Sequence, residues 1–202
     1  MWAANRPLRR SAHGRPPRQR GGAAVEFALL VALFLILVFG IFEMARLVYL
    51  FNTLQEVTRR AASLAINSPF DAASQDSLRK RALIGGKDGN LLLGAPVTFR
   101  HLRLEYLSLS RESPTTLALR TVTTLPADPA RNRLNCLANP SADNCIRFVR
   151  VSICQPGAEG CGAVPYRMLF PLVHFSGLNL PHSETIAPAQ TMGYTAGSVP
   201  GA

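Results

Sequence analysis

Sixteen consecutive residues, Phe27 to Phe42, carry no charge, and that run limits what the chain can become more than any other feature of it. Extended back to Gly22, the stretch is 21 residues long with one charged side chain, Glu26. As an α-helix it rises about 31 Å at about 1.5 Å per residue, which matches a bilayer core of about 30 Å. One transmembrane span is predicted. Composition agrees: 48% of the 202 residues are hydrophobic and 17% charged, too apolar for a disordered chain and too short for a large multidomain enzyme.

A net charge of +10 ordinarily raises nucleic acid as a partner, but the distribution of the charge argues otherwise. Six arginines (Arg6, Arg9, Arg10, Arg15, Arg18 and Arg20) crowd the first twenty residues, with no acid and with Pro7, Pro16 and Pro17 among them. The rest of the chain holds 16 basic and 12 acidic side chains. Such a leader builds no core, and beyond Trp2 it has no aromatic on which bases would stack, so no nucleic-acid partner is expected. After the span, the eighteen residues Glu43 to Arg60 carry three Arg and two Glu. This asymmetry puts the N-terminus in the cytoplasm and everything after Arg46 outside it. A cleaved secretory signal is the bland alternative, but there the small-residue site follows an apolar region of about 7 to 15 residues, whereas here the small residues come first.

The junction reads Arg18-Gln19-Arg20-Gly21-Gly22-Ala23-Ala24-Val25-Glu26-Phe27. It resembles the processing site of type IV prepilin-like proteins, in which a prepilin peptidase cuts after a glycine on the cytoplasmic face and a glutamate stands fifth in the mature chain. Counting back from Glu26 puts Gly22 first and Gly21 at the cut. The run RGGAAVEFALLVALFLILVFGIFEMARLVY is similar to the Tad-pilus pseudopilins and, among them, to the TadE family. Glu26-Phe27 and Glu43-Met44-Ala45-Arg46-Leu47 carry the likeness, which covers Arg20 to Leu64. The resemblance implies a non-catalytic minor pseudopilin or membrane assembly subunit of a Tad (type IVc-like) adhesive pilus, single-pass in the bacterial inner membrane. It implies a prepilin peptidase and other pilin-like and Tad assembly subunits as partners, with Gly21 and Gly22 at the cleavage site and Glu26 and Phe27 in assembly.

The junction also makes chemical sense by itself. Glycine lacks a Cβ, so a peptidase can grip the extended backbone close to the membrane without steric penalty. Cleavage would strip the arginines and expose an α-amino group on Gly22, four residues before Glu26. A carboxylate at the edge of hydrocarbon is costly unless paired, and that amine, of the same chain or a neighbour, is an available partner. The plain alternative is that Glu26 sits in the headgroup layer at the start of an ordinary anchor.

Beyond the membrane the helix is expected to continue. Leu47, Leu50, Leu54, Val57, Ala61 and Leu64 recur at helical spacing, while Asn52, Gln55, Glu56, Arg59, Arg60 and Ser63 fall on other faces. The seam packs either on the chain's own outer domain or on helices of other subunits, and spacing does not separate the two. Asn67-Ser68-Pro69 should end the helix. Glu43 and Arg46, three apart, read as an interfacial ion pair.

The fold expected overall is α+β: a long N-terminal transmembrane helix continuing into a small extracytoplasmic domain with an antiparallel sheet. Its parts are a leader (1–21), a transmembrane and amphipathic helix (22–66), an outer domain (67–194) and a frayed tail (195–202). Asp71 or Ser74 should cap a short helix through Leu78, Ala82 and Leu83 that stops at Gly85-Gly86. Leu102, Leu104 and Tyr106 alternate with Arg103 and Glu105, and Ser113-Pro114 separates that strand from Thr115 to Leu125, which predicts a hairpin. Ile146 to Cys154 and Val164 to Phe170 are further strand candidates.

All four cysteines, Cys136, Cys145, Cys154 and Cys161, fall in the outer region, where an even number favours disulfides. Of the three possible pairings, Cys136 with Cys145 and Cys154 with Cys161 need only short loops and are the ones expected. Those intervals hold eight and six residues, unlike the C-x2-C spacing of zinc sites. No phosphate loop, dinucleotide fingerprint, H-E-x-x-H or G-x-S-x-G occurs, and Gly85-Gly86-Lys87 lacks the rest of a phosphate loop. His101, His174 and His182 stand apart from acids and cysteines at ligand spacing and read as ordinary strand or loop residues. The Asp-x-Ser-x-Ser metal motif of the longer, adhesion-type Tad protein is absent. No enzyme activity, cofactor, metal or small-molecule substrate is expected. Beside the pseudopilin reading stands a signal-anchored extracytoplasmic binding protein unrelated to pili, and beside both a sister pseudopilin of the same machinery.

Overall fold

The computed structural model describes residues 21–83, 89–158, 160–170 and 177–194. The arginine leader, Gly85-Gly86-Lys87, His174 and the tail from 195 onward lie outside the described residues. The chain divides into two compact units, one up to Gly40 and the other from Ile41 to Ala202, and the first helix contributes to both.

That helix, α1, runs from Gly22 to Ala65, about 66 Å at the standard rise. Its N-terminal unit is the apolar run, with a mean hydropathy of 2.9 over its best 18-residue window and no part of that window buried. Phe27 is 69% and Leu33 66% exposed. Apolar side chains exposed on all faces of a helix of this length suit, by length and composition, a lipid surrounding. The chain fits a single-pass membrane protein.

From Arg46 onward α1 is a core element of the second unit. Leu50, Leu54, Val57 and Ala61 are fully buried in the same apolar cluster as Leu102, Tyr106, Val149, Val151 and Ile153. The seam therefore packs on the chain's own outer domain, the plainer of the two readings its spacing allowed. Each large apolar side chain buried there stabilises by about 1.5–3 kcal/mol, while Asn52, Gln55, Glu56, Arg59, Arg60 and Ser63 remain exposed. The helix closes on shorter bonds, Asn67 N–H to Leu64 O and Ser68 N–H to Ala65 O, just before Pro69.

Asp71 starts α2 (Ala72–Ala82): its carboxylate accepts from Ser74 N–H at 3.0 Å, and Arg79, Lys80 and Arg81 sit at the negative end of the helix dipole. A 3-10 turn, Phe99–His101, leads into β1 (Leu102–Arg111), which folds back as β2 (Leu117–Thr121). Then come α3 (Pro129–Ala138), β3 (Phe148–Ile153) and β4 (Glu184–Pro188). The four strands form one antiparallel sheet in the order β2-β1-β3-β4. Leu102, Leu104 and Tyr106 pair with Ile153, Val151 and Val149, so one face of the sheet is apolar. α1 is tied to this sheet also by Thr58 Oγ1, 3.0 Å from Thr185 Oγ1 on β4.

The alternate residues carry charge on the opposite face. Arg103 lies 3.0 Å from Glu105, Glu105 3.5 Å from Arg150, and Arg150 Nε 3.3 Å from Glu184, the last misaligned for a hydrogen bond. Partly exposed pairs of this kind are worth about 0–1 kcal/mol each; they mark the solvated face.

The α+β expectation and the hairpin are observed, with three differences. Val164 to Phe170 is not a strand: it makes one isolated bridge, Pro165 to Asn179, and its side chains serve another purpose described below. The fourth strand is Glu184–Pro188 instead. Helix α3 was not anticipated, although Asp128 caps it by accepting from Arg131 N–H at 2.7 Å and Pro129 occupies its first turn. Asn132 of α3 bonds both backbone groups of Ile146, and the disulfide Cys136–Cys145 secures the same joint. A second disulfide, Cys154–Cys161, closes the loop after β3.

Candidate functional site

Two groups of residues on α1 concentrate the chemistry, one in each unit. In the first unit, helical hydrogen bonding begins at the glycine pair, with Val25 N–H reaching Gly21 O at 3.3 Å. A Cβ added to Gly21 or Gly22 would meet nothing within 4 Å, and neither has a left-handed backbone. The described fold thus does not require glycine at either position, although glycine within a helix costs about 0.5–1 kcal/mol relative to alanine. Glu26 and Phe27 are both exposed. Among the described residues Glu26 has no hydrogen-bond or ion-pair partner. It is an exposed carboxylate next to sixteen uncharged residues, which either a partner or the headgroup layer can accommodate.

In the second unit, Arg46 is buried at 7% exposure. It stands four residues before Leu50 and eight before Leu54, which puts it on the buried stripe of the helix. Its Nε donates to Leu93 O at 2.8 Å, one terminal nitrogen to Ala95 O at 3.0 Å, and the other to Arg167 O at 2.6 Å, Tyr166 Oη at 3.1 Å and Glu43 Oε1 at 3.1 Å. The guanidinium carbon also lies 5.1 Å from the centre of the Tyr166 ring. Glu43 completes the cluster: it accepts from the Tyr166 hydroxyl, and from Leu169 N–H at 3.3 Å. Two loops, 91–97 and 165–169, are thereby fastened to the helix where the apolar run ends. This is far more than the interfacial ion pair that the three-residue spacing suggested. The planar fork of arginine serves several acceptors at once, which a lysine ammonium would not.

Burial pushes the Tyr166 hydroxyl from an ordinary value of 10 up to about 12, and its bond to Glu43 acts in the same direction, while Arg46 opposes it. The folded chain therefore holds this proton more tightly than the unfolded chain. The resulting stability is fully present below pH 10 and is lost as pH rises through about 12. Alkaline titration followed by phenolate absorbance should give a wild-type minus Tyr166→Phe difference that develops near pH 12, where Tyr106 ionises as well. A difference centred near 10 in the folded protein would contradict the buried cluster.

Among the described residues the histidines do not converge. His101 Nδ1 bonds Thr98 N–H at 3.0 Å within the 3-10 turn, and burial lowers its pKa. His182 Nε2 is 3.4 Å from Glu184, on the charged face of the sheet. No group of three His, Cys, Asp or Glu side chains suited to a metal occurs among the described residues. A cleft of about 430 Å³ between α2, the 3-10 turn and the loop of the second disulfide is lined by Arg79, Arg100 and Arg103. Those cations already face Asp76, the Phe99 ring and Glu105, respectively.

Comparison with curated proteins and with solved structures returns no match. The glycine pair, Glu26, the apolar span, Glu43, Arg46 and most of the buried seam all fall within residues 21–63, and that segment matches the family described as TadE-like protein, which makes it similar to Tad pilus-associated membrane proteins.

Proposed function

We propose that this chain is a minor pseudopilin or membrane assembly subunit of a Tad-type adhesive pilus, non-catalytic, inserted with its N-terminus in the cytoplasm and its outer domain on the far side of the membrane. A prepilin peptidase removes residues 1–21, and the mature chain is a helix to residue 66, an outer domain to 194 and a short tail. The observation that carries the reading is the family match, whose first residue is Gly21. Two glycines that the fold does not need, at the start of α1, support processing: a peptidase is the agent that benefits from a bare backbone there. The place of Glu26 at the edge of the apolar run supports assembly, because the amine created on Gly22 lies one helical turn away and an adjacent subunit offers the same group.

The test is the mature N-terminus. Produced in its own host or beside a prepilin peptidase, the protein should begin at Gly22 when the membrane fraction is examined by intact mass, and Gly21→Leu should keep the leader. A chain still starting at Met1 beside an active peptidase would sink the pseudopilin reading and leave the alternative, a signal-anchored extracytoplasmic binding protein.

A further inference from the structure

The loops held by Arg46 and Glu43 carry large apolar side chains on their outer surface. Leu92 is 54%, Leu93 57% and Leu169 52% exposed, and Phe170 beside them is 38% exposed. Their level along α1 is set by backbone bonds. Leu169 N–H meets Glu43, the residue directly after the apolar run, and Leu93 O meets Arg46, less than one turn further along. Within the same unit Ile41, Phe42 and Met44 of α1 are each more than 60% exposed, so helix and loops present apolar side chains at one height. Arg167, exposed between the two anchor points of its loop, adds a cation there.

We infer that this rim of the outer domain, Leu92, Leu93 and Leu169 around the Glu43–Arg46 cluster, is inserted in the outer interface of the bilayer that α1 spans. The occupant of the apolar surface is lipid, by continuity with the apolar span: the chain leaves hydrocarbon at Phe42 and Leu169 is bonded to the next residue. A leucine at that level has headgroups and upper acyl chains as its solvent. Arg167 faces lipid phosphate, and Tyr166 stands at the depth where amphipathic rings concentrate. Arg46 spends its hydrogen bonds on the loops and not on headgroups, so the two loops keep their place against this part of α1.

The inference rests on α1 being a membrane span, and the experiment tests the two separately. In a Trp2→Phe background, single tryptophans replace Leu169, Leu93, Phe34 of the span, and Leu134, an exposed leucine on α3. The full chain is placed in phosphatidylcholine–phosphatidylglycerol vesicles containing lipids brominated either near the headgroup or deep in the acyl chain. Shallow bromines should quench the indoles at 169 and 93 about twofold or more above the indole at 134, as expected for side chains about 5–10 Å into the interface. Deep bromines should quench the indole at 34. Quenching at 34 with none above control at 169 and 93 overturns the rim while leaving the span; no quenching at 34 overturns both. Quenching at 169 and 93 that is absent at high protein density and appears only on dilution into excess brominated lipid would mean that a second copy covers the rim, and would equally overturn it.

Discussion

Glu26→Ala is expected, on the pseudopilin proposal, to insert normally and to be cleaved nearly normally, yet to lose association with other pilus components and to abolish piliation. The basic leader and Gly21 are what a peptidase meets, so the carboxylate five residues after the cut is not required for the cut itself. Once the helix is in lipid the situation changes. An acidic side chain at mid-membrane costs about 2.5–3.5 kcal/mol on translocon scales, and an unpaired carboxylate at the membrane edge costs a share of that. Among the described residues none offsets it. A chain that keeps Glu26 bears this cost unless an ammonium supplied by Gly22 after cleavage, in the same chain or its neighbour, pairs with it. Glu26→Gln should behave almost as badly, because it keeps the size and loses the charge. Co-purification of partner subunits and counts of surface pili, for the wild type and both variants, decide the matter. Normal piliation in Glu26→Ala would reduce the residue to a headgroup-level side chain and shift the search for contacts to the outer domain.

Arg46→Met should be the most damaging single change to the outer domain. It strands three backbone carbonyls, those of Leu93, Ala95 and Arg167, and leaves the Glu43 carboxylate without its cation. Removing one partner of a buried pair costs about 3–5 kcal/mol, against a total stability of about 5–15 kcal/mol for an ordinary domain. Arg46→Lys should recover only part of the loss, since one ammonium cannot serve five acceptors spread across two loops and a helix. Glu43→Gln should cost less than either, because the three carbonyls keep their donor. Urea unfolding in detergent micelles measures the order, and limited trypsin digestion reports the loops directly: cleavage at Arg167 should accelerate in Arg46→Met well before global unfolding. An unchanged unfolding midpoint in Arg46→Met would show that the cluster contributes nothing to stability.

What the chain's own sequence determined is the part governed by local period and local chemistry. A 21-residue run with a single charge, about 31 Å long as a helix, suits a bilayer core, and the three- and four-residue spacing of Leu50, Leu54, Val57 and Ala61 extends that helix with one buried face. Asp71 before α2 and the alternation around Tyr106 are of the same kind, as is Asp128-Pro129 before α3, a start signal present in the sequence. Tertiary structure decided what these faces meet. The seam's partner is the sheet, a choice that periodicity leaves open because any apolar surface satisfies it. Val164 to Phe170 has the composition of a strand, but Tyr166, Arg167 and Leu169 spend their polar groups on Glu43 and Arg46 instead of on a ladder. The role of Arg46 was half visible, as a charge on the buried stripe of the helix. Its acceptors in the two loops lie 47 to 121 residues away, and no local pattern encodes which carbonyls a guanidinium will collect until the fold has brought them to it.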